Sequence, residues 1–106
     1  MKIMRVNDIA AHDGEEVTIQ GWVYKRTGKG KLVFLLVRDG SGFVQCVAFK
    51  GDLDEALFDT ISHIPQESSV VITGTVRKDD RAPGLPGGYE LGITAFDVIQ
   101  AAADDY

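Results

Sequence analysis

Residues 17–49, VTIQGWVYKRTGKGKLVFLLVRDGSGFVQCVAF, decide the fold of this chain. Apolar and polar residues alternate from Val17 onward, which is the period-2 pattern of a β-strand. Gly21, in the middle of that strand, predicts a bulge or a sharp bend, which a strand needs in order to curl around a small barrel. Short Gly-containing turns at 27–31 and 39–42 divide the stretch into a three-stranded meander. The predicted strands are 17–26, Leu32–Arg38 and Phe43–Phe49.

The remaining sequence adds one helix and two more strands. Four apolar residues are spaced four, four and three apart, as on one face of a helix: Leu53, Leu57, Ile61 and Ile64. They predict a helix near residues 53–62, which Asp52 or Asp54 can cap and which Pro65 ends. Strand-like alternation then returns on both sides of a Pro/Gly-rich loop. These two strands are predicted at 68–78 and 89–100.

This order of elements predicts an all-β fold: a five-stranded OB-fold barrel with one helix between strands 3 and 4. A β-sandwich would need more strands than the sequence provides. An RRM would need a helix directly after its first strand, where this sequence has only a turn. OB-folds bind oligonucleotides mainly on the face of strands 2 and 3, so the side chains on those strands are the first candidates for a binding site.

The charge of the chain is unevenly distributed. Its net charge is −5, which alone argues against a nucleic-acid binder because neutralising phosphates requires Lys and Arg. Between Glu16 and Asp39, however, there is no acidic residue, and five of the eleven basic residues lie there. We call these five the basic stripe: Lys25, Arg26, Lys29, Lys31 and Arg38. The charge pattern alone leaves two interpretations open, phosphate binding and a solubilising surface hairpin.

The composition gives no support to several other classes of protein. Of the 106 residues, 44% are hydrophobic and 25% are charged, which is typical of one folded domain. No segment approaches the roughly 20 apolar residues of a membrane span. The first ten residues lack the apolar region of a signal peptide, so we predict a cytoplasmic protein with no membrane contact. Cys46 is the one cysteine and lies far in sequence from both histidines, so we predict no disulfide, metal site or catalytic group.

Phe34 and Gln45 are the candidate ligand contacts on strands 2 and 3. An exposed aromatic ring can stack on any nucleobase. A side-chain amide both donates and accepts hydrogen bonds, so it can read the edge of a base. The cations that would follow the phosphate backbone come just before Phe34: Lys25, Arg26, Lys29 and Lys31. Together these residues predict a surface that binds single-stranded RNA.

Residues 21–45, GWVYKRTGKGKLVFLLVRDGSGFVQ, resemble the anticodon-binding domain of class IIb aminoacyl-tRNA synthetases. The pattern of that family is G-W-V, one or more arginines, G-x-Φ-x-F and then R-D-x-x-G-x-x-Q. The matching positions are Gly21, Trp22, Arg26, Gly30, Phe34, Arg38, Asp39, Gly42 and Gln45. The later segment VVITGTVRKDDRAPG…GGYEL is similar to the asparaginyl branch of the family. The resemblance covers nearly the whole chain.

The resemblance implies a role for each matching side chain. Phe34 would stack on the central anticodon base, a uridine, and Gln45 would hydrogen-bond the edge of that base. Arg26 would assist on the backbone or base, and Arg38 is a further candidate contact. Arg77 and Glu90 would lie near the first anticodon base. The sequence departs from the family at Thr27, where many relatives have a second arginine, and in a longer loop at 81–88.

The resemblance also implies the context of the domain. Residues 1–101 would be the OB-fold domain, and 102–106 would begin a linker to a catalytic domain absent from this chain. The parent enzyme would be a homodimer that uses ATP and Mg²⁺ to attach asparagine to its tRNA. This fragment would be a monomer that binds tRNA through the anticodon stem-loop, without a cofactor and without catalysing a reaction.

Three alternative functions remain open from the sequence. The first is the aspartyl branch of the same family. The second is a stand-alone binder of single-stranded nucleic acid, which would use more aromatic residues along its groove than this sequence offers. The third is a protein-interaction OB module with the acidic body as its surface, which leaves the basic stripe and Gln45 without a role.

Overall fold

The computed structural model describes residues 3–85 and 87–100, and strands account for most of this part of the chain. The strands are β1 (Glu16–Lys29), β2 (Leu32–Arg38), β3 (Phe43–Phe49), β4 (Ser69–Lys78), β5 (Gly84–Leu85) and β6 (Tyr89–Gln100). One α-helix, α1 (Glu55–Ser62), and two 3₁₀ turns, Val6–His12 and Lys50–Asp52, complete the described elements. The linker predicted at 102–106 lies outside the described residues.

Five of the strands close into a ring. β1 pairs with β4 through its first half and with β2 through its second half. β2 continues to β3, β3 pairs in parallel with β6, and β6 returns to β4. The two-residue β5 forms within the predicted loop and pairs with the start of β3. The prediction of a five-stranded OB-fold with one helix between the third and fourth strands is confirmed.

The inside of the ring is the hydrophobic core, because alternate residues of each strand point inward. The inward residues of β2 and β3 are buried: Val33, Leu35, Val37, Val44, Cys46 and Ala48. α1 packs on this core through Ile61, which is fully buried. Its first turn is capped by Asp54, whose carboxylate accepts a hydrogen bond from the Leu57 N–H at 3.4 Å, as one of the two predicted caps would do.

β1 changes partner at Trp22 and bulges at Tyr24. Trp22 pairs with both β4 and β2, and a Cβ on the preceding Gly21 would lie 2.3 Å from the Arg38 carbonyl oxygen. Glycine is therefore required there for close approach of two backbones. The register shift comes three residues later, because Val23 pairs with Val37 and Lys25 with Leu36. The bulge thus lies at Tyr24 and not at Gly21.

Asp39 fixes the turn between β2 and β3 and attaches the N-terminal 3₁₀ turn to it. Its carboxylate accepts hydrogen bonds from the Ser41 hydroxyl at 2.6 Å, the Ser41 N–H at 2.8 Å and the Val6 N–H at 2.8 Å. Partial burial acts to raise the pKa of Asp39, but these hydrogen bonds and a weaker one from the Gly42 N–H outweigh it, so the pKa lies below its usual value.

Across 3–85 and 87–100, no helix combines the length and the apolar character that crossing a membrane demands.

Candidate nucleic-acid interface

The side of the sheet that faces away from the core carries most of the predicted contact residues. We call this side of β1, β2, β3, β6 and β4 the outer face. Directly opposite residues of neighbouring strands share a face, and the pairings continue from one strand to the next. One row therefore crosses all five strands: Lys25, Leu36, Gln45, Glu90 and Arg77. A second row beside it contains Thr27, Phe34 and Val47.

Phe34 and Gln45 line one open groove on this face, with a volume of about 270 Å³. Its lining residues are Lys25, Thr27, Phe34, Leu36, Gln45 and Pro83. Leu36 lies between Lys25 and Gln45 in the first row and gives the groove an apolar floor. Within the part of the chain that the structure describes, the Gln45 amide forms no hydrogen bond. The groove therefore offers an aromatic ring for stacking and an amide whose donors and acceptor remain available to a ligand.

Arg26 lies apart from this groove. It pairs with Leu35, whose side chain is fully buried in the core, so Arg26 points to the opposite side of β1 from Lys25 and Thr27. Its Nη1 donates a hydrogen bond to the Ile64 carbonyl oxygen at 2.9 Å, just after α1. The structure therefore does not bring Arg26 together with Phe34 and Gln45. The residue directly across from Phe34 is Thr27.

The three lysines of the basic stripe lie along the groove side of the molecule. Lys25 lines the groove, Lys29 ends β1 on the same face, and Lys31 follows in the hairpin. All three are exposed, and none forms an ion pair with another described residue. Their ammonium groups are available to a polyanion, because positive charges on a protein surface attract phosphates over several ångströms.

Arg38 is engaged with other protein groups. Its Nη2 lies 2.6 Å from Oε2 of Glu67, and its guanidinium carbon lies 5.5 Å from the centroid of the Trp22 ring. Glu67 has a φ of +69°, an uncommon conformation for a residue other than glycine. Trp22, which is 42% exposed, belongs to the surface of the sheet rather than to its core.

Glu90 and Arg77 continue the row of Gln45 across the next two strands. Glu90 is directly across from Gln45 on the parallel neighbour β6, and Arg77 is directly across from Glu90 on β4. The Arg77 Nη2 lies 3.6 Å from the Glu90 Oε1. Glu90 is the more buried partner of this pair, with 17% of its side chain exposed against 54% for Arg77.

The groove also uses residues that the sequence did not single out. Leu36 could have been found by its two-residue spacing from Phe34. Thr27 could be placed in the groove only by knowing where β1 bulges. Pro83 could be placed there only by knowing how its loop folds back over β3.

Among residues 3–85 and 87–100 there is no cluster of three or more His, Cys, Asp or Glu that could hold a metal ion. Burial raises the pKa of the Cys46 thiol far above its usual value, so it stays protonated and unreactive.

Comparison with known proteins gives concordant matches. A sequence profile of the tRNA anti-codon family, described as an OB-fold nucleic acid binding domain, matches residues 17–99. The asparagine–tRNA ligase of Chloroflexus aurantiacus is 52% identical over 94 residues, which are 89% of this chain and 21% of the ligase. The asparagine–tRNA ligase of Koribacter versatilis is 44% identical over 103 residues, which are 97% of this chain and 23% of the ligase.

A solved structure agrees with these sequence matches. The asparaginyl-tRNA synthetase from Pyrococcus horikoshii, complexed with asparaginyl-adenylate, aligns with a TM-score of 0.89 at 35% identity. The aligned part covers 99% of this chain and 24% of that chain. The chain thus spans less than a quarter of the length of these relatives.

Proposed function

Since the chain belongs to the OB-fold nucleic acid binding domain family, we propose that it is the anticodon-binding part of an asparaginyl-tRNA synthetase. The observation that carries this proposal is the groove in which Phe34 and Gln45 lie side by side on the outer face. Relatives at 44% and 52% identity that are named asparagine–tRNA ligases favour the asparaginyl over the aspartyl branch.

In this proposal Phe34 stacks on the central anticodon uridine and Gln45 reads its edge. Stacking is tolerant of base identity because every base has a flat π-face. Hydrogen bonding to the base edge does depend on base identity. Uridine presents an N3–H donor beside a carbonyl acceptor, whereas cytidine presents an N3 acceptor beside an amino donor. A Gln45 amide held in one orientation matches only one of these two edges.

The charges around the groove complete the proposed site. Lys25, Lys29 and Lys31 contact the phosphates, while the acidic body of the domain repels RNA that lacks the right fit. Arg77 and Glu90 hold the first anticodon base, since Glu90 is directly beside Gln45 in their row and Arg77 is directly beside Glu90. Arg38 is the remaining candidate contact at the other end of this face, and it would have to leave Glu67 to reach a phosphate.

The activity of the whole protein is part of the same proposal. The parent would be a cytoplasmic homodimer that uses ATP and Mg²⁺ to join asparagine to its tRNA. This domain would supply recognition only and would be monomeric on its own. Support comes from the ligase names of relatives in which this chain corresponds to 21–23% of the length.

Binding to anticodon stem-loops that differ only in the central base tests the proposal. The unmodified chain is expected to prefer uridine over cytidine, measured by fluorescence anisotropy at one fixed salt concentration. Gln45→Ala should narrow that gap, whereas Phe34→Ala should weaken both ligands by about 1–3 kcal/mol, the usual value of a base–aromatic stack. Stem-loops of the asparagine and aspartate tRNAs, compared in the same assay, separate the two branches.

Two controls decide what a negative result means. Thermal unfolding of each variant identifies any loss of affinity that follows from misfolding. Equal binding of both stem-loops by the unmodified chain would instead indicate a nonspecific single-strand binder. If the folded Gln45→Ala variant keeps the full preference for uridine, another group reads the base.

A further inference from the structure

Tyr24, the extra residue of the β1 bulge, is exposed on the outer face beside the Phe34 groove. Neighbouring residues of a regular strand point to opposite faces. In a regular strand Val23 and Lys25, two residues apart, would therefore share a face. Here Val23 is fully buried in the core, whereas Lys25 lines the groove on the outer face. The bulge breaks this alternation and places Tyr24 and Lys25 on the same face. Tyr24 is 48% exposed, although an aromatic residue usually gains by burial.

Tyr24 does not stand alone, because its ring contacts that of Phe43. The ring centroids are 6.3 Å apart, with the planes inclined at 42°. Phe43 lies two residues before Gln45 on β3, so both side chains leave the same face of that strand. The contact passes over β2, which lies between β1 and β3. The two rings therefore form an aromatic surface that borders the groove at its Gln45 end.

The charges at this end suit a nucleic acid. Lys25 follows Tyr24 directly and has no ion pair with a described residue. Arg38 is directly across from Phe43 and is held in place by Glu67 at 2.6 Å. Lys25 is thus the cation without a partner beside this aromatic surface, and flat rings next to a cation fit a polyanion with flat bases better than an apolar protein surface.

The spacing separates this surface from the one at Phe34. Phe34 is directly across from Val47 on β3, and Phe43 lies four residues before Val47. At about 3.3 Å per residue, the two aromatic positions are roughly 13 Å apart along the strand. They lie side by side on one face, so a single base stacked at Phe34 leaves the Tyr24–Phe43 surface uncovered.

We propose that Tyr24 and Phe43 form a second base-stacking surface, which holds a nucleotide adjacent in the RNA chain to the one bound at Phe34 and Gln45. This inference rests on the proposed function, because it takes single-stranded anticodon-loop RNA as the ligand. It adds a subsite and a role for the bulge: the extra residue turns Lys25 to the outer face, on which Tyr24 already lies.

A double-mutant cycle between protein and RNA tests the second surface. The probe is the anticodon stem-loop of the asparagine tRNA, with each loop base removed in turn to leave an abasic site. Removal of one base next to the central base is expected to weaken binding by the unmodified chain roughly fivefold to 150-fold, as for other stacked bases. The same removal should have little effect on Tyr24→Ala. In Phe34→Ala, removal of the central base should weaken binding less than it does in the unmodified chain, because only the contact with Gln45 is then lost.

Matched variants of Tyr24 separate stacking from folding. Tyr24→Phe keeps the ring and should retain both the affinity and the sensitivity to base removal. Tyr24→Leu keeps an apolar contact with Phe43 without a flat ring, so it replaces Tyr24→Ala if the latter lowers the melting temperature. Fluorescence of Trp22, the one tryptophan of the chain, reports whether RNA reaches this end of the face.

The outcomes distinguish this inference from the proposed function. If the unmodified chain shows no preference at the central base, the proposed function fails and the second surface fails with it. If that preference is present but Tyr24→Ala and Tyr24→Leu respond to every abasic site as the unmodified chain does, the second surface alone is refuted.

Discussion

Arg26 and Lys25 are adjacent in sequence but point to opposite faces of β1. We therefore expect replacement of Arg26 to lower the stability of the fold and replacement of Lys25 to weaken RNA binding. Arg26→Ala removes the hydrogen bond from the guanidinium to the Ile64 carbonyl oxygen at 2.9 Å. A hydrogen bond to a charged group contributes up to about 3 kcal/mol, but this side chain is exposed, so we expect a loss of about 1 kcal/mol. For a domain of this size that corresponds to a fall in melting temperature of roughly 4–8 °C. The affinity for RNA should hardly change.

Lys25→Ala should leave the stability almost unchanged and act on RNA binding. Each phosphate contact contributes about 0.7 to the slope of log K against log salt concentration for a single strand. The slope should therefore become shallower by about that amount, with no change in base preference. Thermal melting and anisotropy titrations at three or more salt concentrations measure both variants. The reasoning is refuted if Arg26→Ala flattens the slope while its melting temperature stays that of the unmodified chain.

Three further changes have defined outcomes. Lys29→Ala combined with Lys31→Ala should flatten the salt slope by about 1.4 and weaken binding to all stem-loops alike, which titrations with two sequences check. Gly21→Ala should destabilise the fold by about 1–3 kcal/mol in urea unfolding, because its Cβ would meet the Arg38 carbonyl oxygen at 2.3 Å; unchanged stability would contradict the close approach. The lowered pKa of Asp39 stabilises the fold at pH values above its unfolded pKa near 3.8, and this contribution is lost as the pH falls through the folded pKa. Asp39→Asn should therefore be less stable at pH 7 but show a smaller loss of stability than the unmodified chain between pH 5 and pH 3, and an equal loss would exclude this role.

The strands and the helix could be predicted because each obeys a simple period. The sequence predicts β2 and β3 at the bounds that the structure has, since every second residue of each is apolar and faces the core. The helix was expected because four apolar residues share one face, and Asp54 was one of two acceptable caps. Phe34 and Gln45 share a groove because an even spacing on paired strands keeps them on one face.

The bulge could not be predicted, and the position of Arg26 away from the groove follows from it. If the alternation is counted onward from the buried Val23, Lys25 falls on the inside and Arg26 on the outside. The extra residue at Tyr24 reverses both assignments. The sequence contains a bulge signal only at Gly21, where glycine meets a different need, the close approach of the Arg38 backbone. Pro83 was missed because its position depends on the pairing of β5 with β3, which is a long-range contact.

The same geometry limits how strongly salt should affect RNA binding. The basic stripe has five cations, but Arg26 is bonded to the Ile64 carbonyl and Arg38 to the Glu67 carboxylate. Only the three lysines remain without a protein partner among the described residues. If the stripe supplies the phosphate contacts, the slope of log K against log salt concentration should be about −2 for a single strand, and not the −3.5 or so that five cations would give. A measured slope near −3.5 would mean that Arg26 and Arg38 leave their partners when RNA binds.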